Sequence, residues 1–283
     1  MHSNRTELVT GELTIGGLAR TFAVVLPPDR PAPLLLALHG NSPDAGGWVM
    51  RDWTTFDKQP GFTIAYPDGL GGCWADGRGV TTADEAGIDD VAFLRGIIDW
   101  SAERHGIWPD RAVVAGISNG AFMAHRLAVE ASAQVAVLAA VAGGMPASLH
   151  DTEPTHAVSA LLIHGTDDPV SPIEGGYSRR LGPSGELRGR TLSLDETASR
   201  WRTIDRCPAG PGETHTTDQS SRHTAGGGVG GTVVTAWTVF GGGHSWPGSA
   251  NGVGAVSQEF DAAEEICRFA RPLLGNAETR KLS

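Results

Sequence analysis

At 283 residues and a net charge of −10, from 22 Lys and Arg against 32 Asp and Glu, the chain can bury a substantial core. Its acidity, spread along the sequence, argues against nucleic acid and against a strongly anionic substrate. No apolar run approaches the roughly 20 residues that span a membrane. Cys73, Cys207 and Cys267 are too few and too scattered for a disulfide framework or a zinc site. Isolated thiols are one expectation, and a single disulfide with one thiol left over is the other.

In chain order, strands alternate with helices. Residues 1–6 show no hydrophobic signal core, so a cytoplasmic protein or a trimmed secreted form is expected. Residues 12–15 and 21–26 predict a hairpin across Gly16-Gly17, stopped by Pro27-Pro28. The apolar runs at 34–38, 62–66 and 113–116 read as strands covered on both faces, as do 135–140, 161–164 and 233–240. Helical spacing is seen in Ile88, Val91, Leu94, Ile97 and Ile98, and helices are predicted over 119–131, 194–204 and 257–273. The pattern implies a mostly parallel sheet with helices on both faces and an antiparallel N-terminal edge hairpin. With no repeat or linker, residues 1–283 read as a single domain; 1–10 and 277–283 are expected to be flexible, and 182–189 and 225–231 to be loops.

The most informative segment is a strand running into Gly116-Ile117-Ser118-Asn119-Gly120, followed by a helix. Glycines two before and two after the serine let strand and helix approach, so the serine oxygen stands clear of the sheet. The helix start then offers N–H groups to a developing oxyanion. A glycine-flanked serine alone is a weak signal; the flanking strand and helix are the surroundings it requires. Leu38-His39-Gly40-Asn41, another strand end, is placed to supply a second donor. The backbone N–H groups of Asn41 and Asn119 are the candidate oxyanion hole, and His39 is read as structural.

A serine nucleophile needs a neutral base near pH 7 and an orienting acid. In α/β-hydrolases the order along the chain is serine, acid, histidine. Of ten histidines, His2, His105, His125, His150, His156, His215 and His223 sit in a terminus, on helices or in polar loops. His244 instead follows a strand in Gly241-Gly242-Gly243-His244-Ser245-Trp246-Pro247-Gly248, whose glycines permit a close backbone approach. For the acid, the strand ending His164-Gly165-Thr166-Asp167-Asp168-Pro169-Val170 offers Asp167 or Asp168, and spacing does not choose between them. His164 is read as structural.

Together these pieces resemble the polyhydroxybutyrate-depolymerase and feruloyl-esterase-like branch of the α/β-hydrolases, from about Arg20 to Leu274. Further landmarks are Tyr66-Pro67-Asp68-Gly69, Cys73-Trp74, the run from Asp89 and Asp90 to Leu94, Trp201 and Cys207-Pro208. The resemblance implies Asp168, before the Pro-Val pair, as the triad acid, and it supports Asn41 and Asn119 as donors. Asp89 and Asp90 are read first as helix-start residues. The chain departs from the family pattern in showing no secretion signal and no appended polymer-binding part, and in following Trp74 with Ala75-Asp76 instead of an asparagine. Soluble esters or oligomers are therefore expected over solid polymer.

The expected activity is a serine carboxylic-ester hydrolase working through an acyl-enzyme, with Ser118 as nucleophile, His244 as base and Asp168 as acid. The expected substrates are short hydroxyalkanoate oligomers or feruloyl- or acetyl-type esters. No metal or other cofactor is called for. Trp48, Trp74, Tyr177 and Trp246 are candidate pocket walls, each equally suited to a core role. An acyltransferase or peptidase on the same scaffold, or a non-catalytic binding module, are the alternatives; the module predicts a broken triad, which is not seen.

Overall fold

The computed structural model describes residues 6–181, 185–274 and 280–282. Its main sheet has ten strands. They are β1 (Glu7–Ile15), β2 (Leu18–Leu26), β3 (Leu34–Leu38), β4 (Thr63–Pro67), β5 (Ala112–Ile117), β6 (Val135–Val141), β7 (Ser159–Gly165), β8 (Glu213–Thr216), β9 (Ser220–Ala225) and β10 (Val234–Val239). The spatial order is β1-β2-β4-β3-β5-β6-β7-β10-β9-β8. The block from β4 to β10 is parallel throughout, and an antiparallel hairpin closes each edge.

Helices α1 (Gly47–Trp53), α2 (Thr82–Glu85), α3 (Asp90–His105), α4 (Asn119–Glu130), α5 (Leu194–Ile204) and α6 (Ala262–Ala270) complete the fold. The central strands bury both faces, which explains their unbroken apolar runs. In β5, Ala112 and Val114 point into a core shared with α3, α4 and α5, whereas Val113, Ala115 and Ile117 point into one shared with α1 and α6. Among the described residues no helix is long and apolar enough to cross a membrane. All three cysteines are free.

Several sequence expectations need correction. The N-terminal hairpin is longer than foreseen, since residues 7–10 pair with residues 23–26 and are ordered strand. Residues 1–5 lie outside the described residues. The C-terminal stretch is tied down as well: Arg280 is buried and its guanidinium donates to the carbonyls of Val135 (2.7 Å), Ala157 (3.1 Å) and Asp110 (2.7 Å). Residues 277–279 and 283 lie outside the described residues, as do 182–184 of the expected loop. The last helix starts only at Ala262, because the Asp261 carboxylate caps it by accepting from the N–H groups of Ala263 and Glu264. The far-edge hairpin β8–β9 escaped the sequence reading because β8 is exposed along its whole length and carries no apolar alternation.

Candidate active site

The loops that follow β3, β5, β7 and β10 converge at the carboxyl ends of the parallel strands, where open α/β sheets gather ligand groups. After β5 the chain turns sharply into α4, and Ser118 at the turn has φ 56° and ψ −120°, a conformation L-residues rarely adopt. Two glycines permit it. A Cβ on Gly116 would sit 2.3 Å from the carbonyl oxygen of Gly120, and one on Gly120 would sit 2.4 Å from that of Leu38. The Ser118 N–H is fixed by the carbonyl of Val141 at 3.0 Å.

The two candidate acids differ in their surroundings. Asp168 Oδ2 accepts from His244 Nδ1 at 2.8 Å, while Oδ1 accepts from the N–H groups of Val170 and Ser171, each at 2.8 Å. Asp167 is exposed, and among the described residues its side chain accepts only a local bond from the Thr166 hydroxyl. Burial would raise the Asp168 pKa, but hydrogen bonds from His164 and His244, the His244 charge and the Ser171 N–H outweigh it. The carboxyl is held well below the usual carboxylate range. His164, read from sequence as merely structural, belongs to this cluster: its Nε2 donates to the carbonyl of Ser171 at 2.8 Å and lies 3.3 Å from Asp168 Oδ2. The glycine loop before His244 is needed for close packing, since a Cβ on Gly243 would meet the carbonyl oxygen of Val253 at 2.4 Å.

Ser118, His244, Asn41 and Asn119 all line one cavity of about 540 Å³. His39 stays structural. It is buried, its Nε2 accepts from the Gly69 N–H at 2.9 Å and its Nδ1 therefore donates to the Gly40 carbonyl at 2.7 Å. Burial lowers its pKa, keeping the ring neutral.

The landmark motifs form the support behind the serine. The Asn119 side chain accepts from the Trp74 N–H at 2.8 Å and donates to the Asp76 carboxylate at 2.6 Å. Asp76, of the Ala75-Asp76 pair that follows Trp74 instead of an asparagine, also holds Arg78 through a fork of contacts between 2.8 and 3.1 Å. Asp89 caps α3 as expected, accepting from the Ala92 N–H at 2.8 Å. Asp90 does something else: it is buried, pairs with the buried Arg20 at 2.6 Å and accepts from the Ala75 N–H at 2.7 Å.

The four candidate wall residues are corrected. Trp74 is fully buried, its indole N–H donating to the His39 carbonyl at 2.9 Å. Trp246 is buried against Phe56. Trp48 and Tyr177 are about half exposed, and none of the four lines the cavity. Its apolar wall comes instead from Val49, Met50, Trp53, Phe122, Val170 and Val253. The signal for two of these was present: Val49 and Trp53 are four residues apart and share a face of α1.

Fold and site together define the class, an α/β-hydrolase. Superposition on known structures agrees. An acetyl xylan esterase from Aspergillus awamori matches 84% of this chain and 94% of its own at TM-score 0.56 and 15% identity. An S-formylglutathione hydrolase from Agrobacterium tumefaciens matches 96% and 97% at TM-score 0.55 and 12% identity. No family model matches the sequence. In sequence the chain is similar to the putative esterase NocK of Nocardia uniformis subsp. tsuyamanensis, 29% identical across 91% of this chain and 81% of that protein. It is 27% identical to poly(3-hydroxyalkanoate) depolymerase C of Paucimonas lemoignei across 76% of this chain, and 26% identical to feruloyl esterase C of Emericella nidulans across 60%. It spans only 55% and 62% of those two proteins. By these sequence relatives the chain is a carboxylic-ester hydrolase.

Proposed function

We propose that Ser118 is the nucleophile, His244 the general base and Asp168 the orienting acid of an acyl-enzyme mechanism, and that the whole chain acts as one catalytic domain. The observation that carries the reading is the 2.8 Å bond from His244 Nδ1 to a buried Asp168, with His244 and Ser118 on the same cavity. Nδ1 donates to the carboxylate, so Nε2 is the nitrogen left to accept the Ser118 proton.

Attack by Ser118 Oγ on the ester carbonyl gives a tetrahedral oxyanion, held by the backbone N–H groups of Asn41 and Asn119. His244 hands the proton to the leaving alcohol, then takes one from the water that attacks the acyl-enzyme and returns it to Ser118 Oγ as the Oγ–acyl bond breaks and the acid leaves. These steps call on no metal. The side chain of Asn119 is engaged with Trp74 and Asp76, which fixes the start of α4 and leaves its backbone to face the substrate. A cavity of about 540 Å³ suits a small ester. Short hydroxyalkanoate oligomers and feruloyl- or acetyl-type esters are the proposed substrates, in line with the relatives' names.

The test is Ser118→Ala, which should fold normally and lose roughly 10³-fold or more of kcat on p-nitrophenyl esters. A serine-directed phosphonate should add once, at Ser118. Labelling of another serine, or a Ser118→Ala enzyme at the parent rate, overturns the reading.

A further inference from the structure

Among the described residues three arginines, Arg78, Arg180 and Arg188, converge on the cavity that holds Ser118 and His244, against one acidic wall residue, Asp44. The chain as a whole has more acids than bases, 32 against 22. The wall therefore has the opposite sign to the average.

The three are not equivalent. Arg78 is occupied: Asp76 balances its charge, its guanidinium stacks 3.8 Å from the Phe122 ring centroid, and its side chain is 8% exposed. Arg188 is half-buried and its Nη2 donates to a neutral acceptor, the Val80 carbonyl, at 3.2 Å. Arg180 is exposed at the cavity mouth. Among the described residues neither Arg180 nor Arg188 forms an ion pair with a carboxylate.

Their backbone is fixed. The Ser178 N–H donates to the Arg188 carbonyl at 3.1 Å, and Gly176 and Thr191 exchange bonds of 2.9 Å in both directions. Gly189 lies so close to Arg78 that a Cβ there would come within 2.8 Å of its Cδ. Two adjacent arms of chain thus carry one arginine each to the same wall. Guanidinium forks match carboxylates in shape and charge, and a low-dielectric cleft strengthens the pairing.

We propose that this wall selects esters carrying a carboxylate remote from the scissile bond, bound by Arg180 and Arg188. The proposal rests on the esterase reading and adds a substrate feature to it. The net charge that argues against anionic substrates acts at long range, where salt screens it beyond about 8 Å. A contact with two guanidinium groups is decided locally.

The test compares monoethyl esters of succinic, glutaric, adipic and suberic acid with their terminal primary amides, which are isosteric and neutral. The parent enzyme should prefer the carboxylate in kcat/KM by roughly tenfold for at least one chain length. That preference should shrink in 1 M NaCl. In an Arg180→Gln/Arg188→Gln double variant the preference should collapse towards unity, through KM rather than kcat, and lysine at both positions should restore part of it. Calorimetric binding of the best acid and its amide to Ser118→Ala enzyme gives a readout free of turnover. Ester hydrolysis with no preference for the carboxylate at any length overturns this proposal and leaves the esterase reading standing. Selective binding of the acid without any hydrolysis by the parent enzyme does the reverse.

Discussion

Two buried carboxylates sit at opposite ends of β7. Asp168 follows its carboxyl end, and Asp205, at the end of α5, accepts from the Val158 N–H at 3.0 Å just before the strand begins. Both are within 1% of full burial. Asp168 receives two backbone N–H groups and the His244 ring, with His164 beside it, and is held ionised. Asp205 accepts one well-formed bond, from the Val158 N–H, and burial pushes its carboxyl up to about 8, against the pull of that N–H, the neighbouring Thr232 hydroxyl and the Arg280 guanidinium. Burial alone therefore does not mark a working group. What separates the two is the number of donors aimed at the charge, and those gather at the carboxyl end of the sheet, where the loops after β7 and β10 meet.

The largest effect that would break this contrast is on the acid itself. Asp168→Asn should lower kcat by about 10⁴-fold, by analogy with the protease case in which the histidine loses its orienting carboxylate. Asp167→Asn should change kcat by less than about threefold, as exposed side chains away from a site commonly do. Reversed effects would make Asp167 the acid. A smaller effect is expected at His164, which touches Asp168 rather than substrate. His164→Leu removes a donor beside a charged group, a loss of roughly 1.5–3 kcal/mol. It should show as a fall of about 10- to 100-fold in kcat with KM little changed. His164→Gln, which keeps an N–H, should recover part of the rate. A fall confined to thermal stability, with kcat intact, would make His164 a packing residue.

The same contrast explains what the sequence discloses. The elbow is legible because its geometry is over-determined locally: only glycine fits at 116 and 120, where added Cβ atoms would strike backbone carbonyls. His244 is legible for a similar reason, its loop closing on Val253 through Gly243. Spacing does not choose Asp168 over Asp167, because adjacent residues share it; the Pro-Val landmark of the resemblance points to Asp168, and in the fold that is the side chain facing His244. The cavity wall is less legible still. Trp74 and Trp246 are aromatic landmarks, yet both serve the interior, while the wall draws on α1 and on arms 176–180 and 188–191 that carry no periodic pattern. Arg20 and Asp90, 70 residues apart, form a buried pair that no local rule reveals.

The smallest effect tests the other end of β7. In the folded chain Asp205 stays protonated up to about pH 8, whereas in the unfolded chain it ionises near pH ~3.9. Between those values the unfolded state releases a proton that the folded state keeps, so this residue costs progressively more stability as pH rises, with the full cost above the folded value. Asp205→Asn is neutral at every pH and escapes that cost. Relative to the parent, its Tm should be similar or lower near pH 5, where both side chains are uncharged in the fold and only the shape of the site has changed. The difference should grow by a few degrees in favour of the variant by pH 8.5. Activity at 25 °C should be unchanged, since Asp205 lies at the end of β7 away from His244. A Tm difference that does not vary with pH would mean that Asp205 is ionised in the fold, stabilised by Arg280 after all. The two ends of β7 would then differ in their partners but not in their charge.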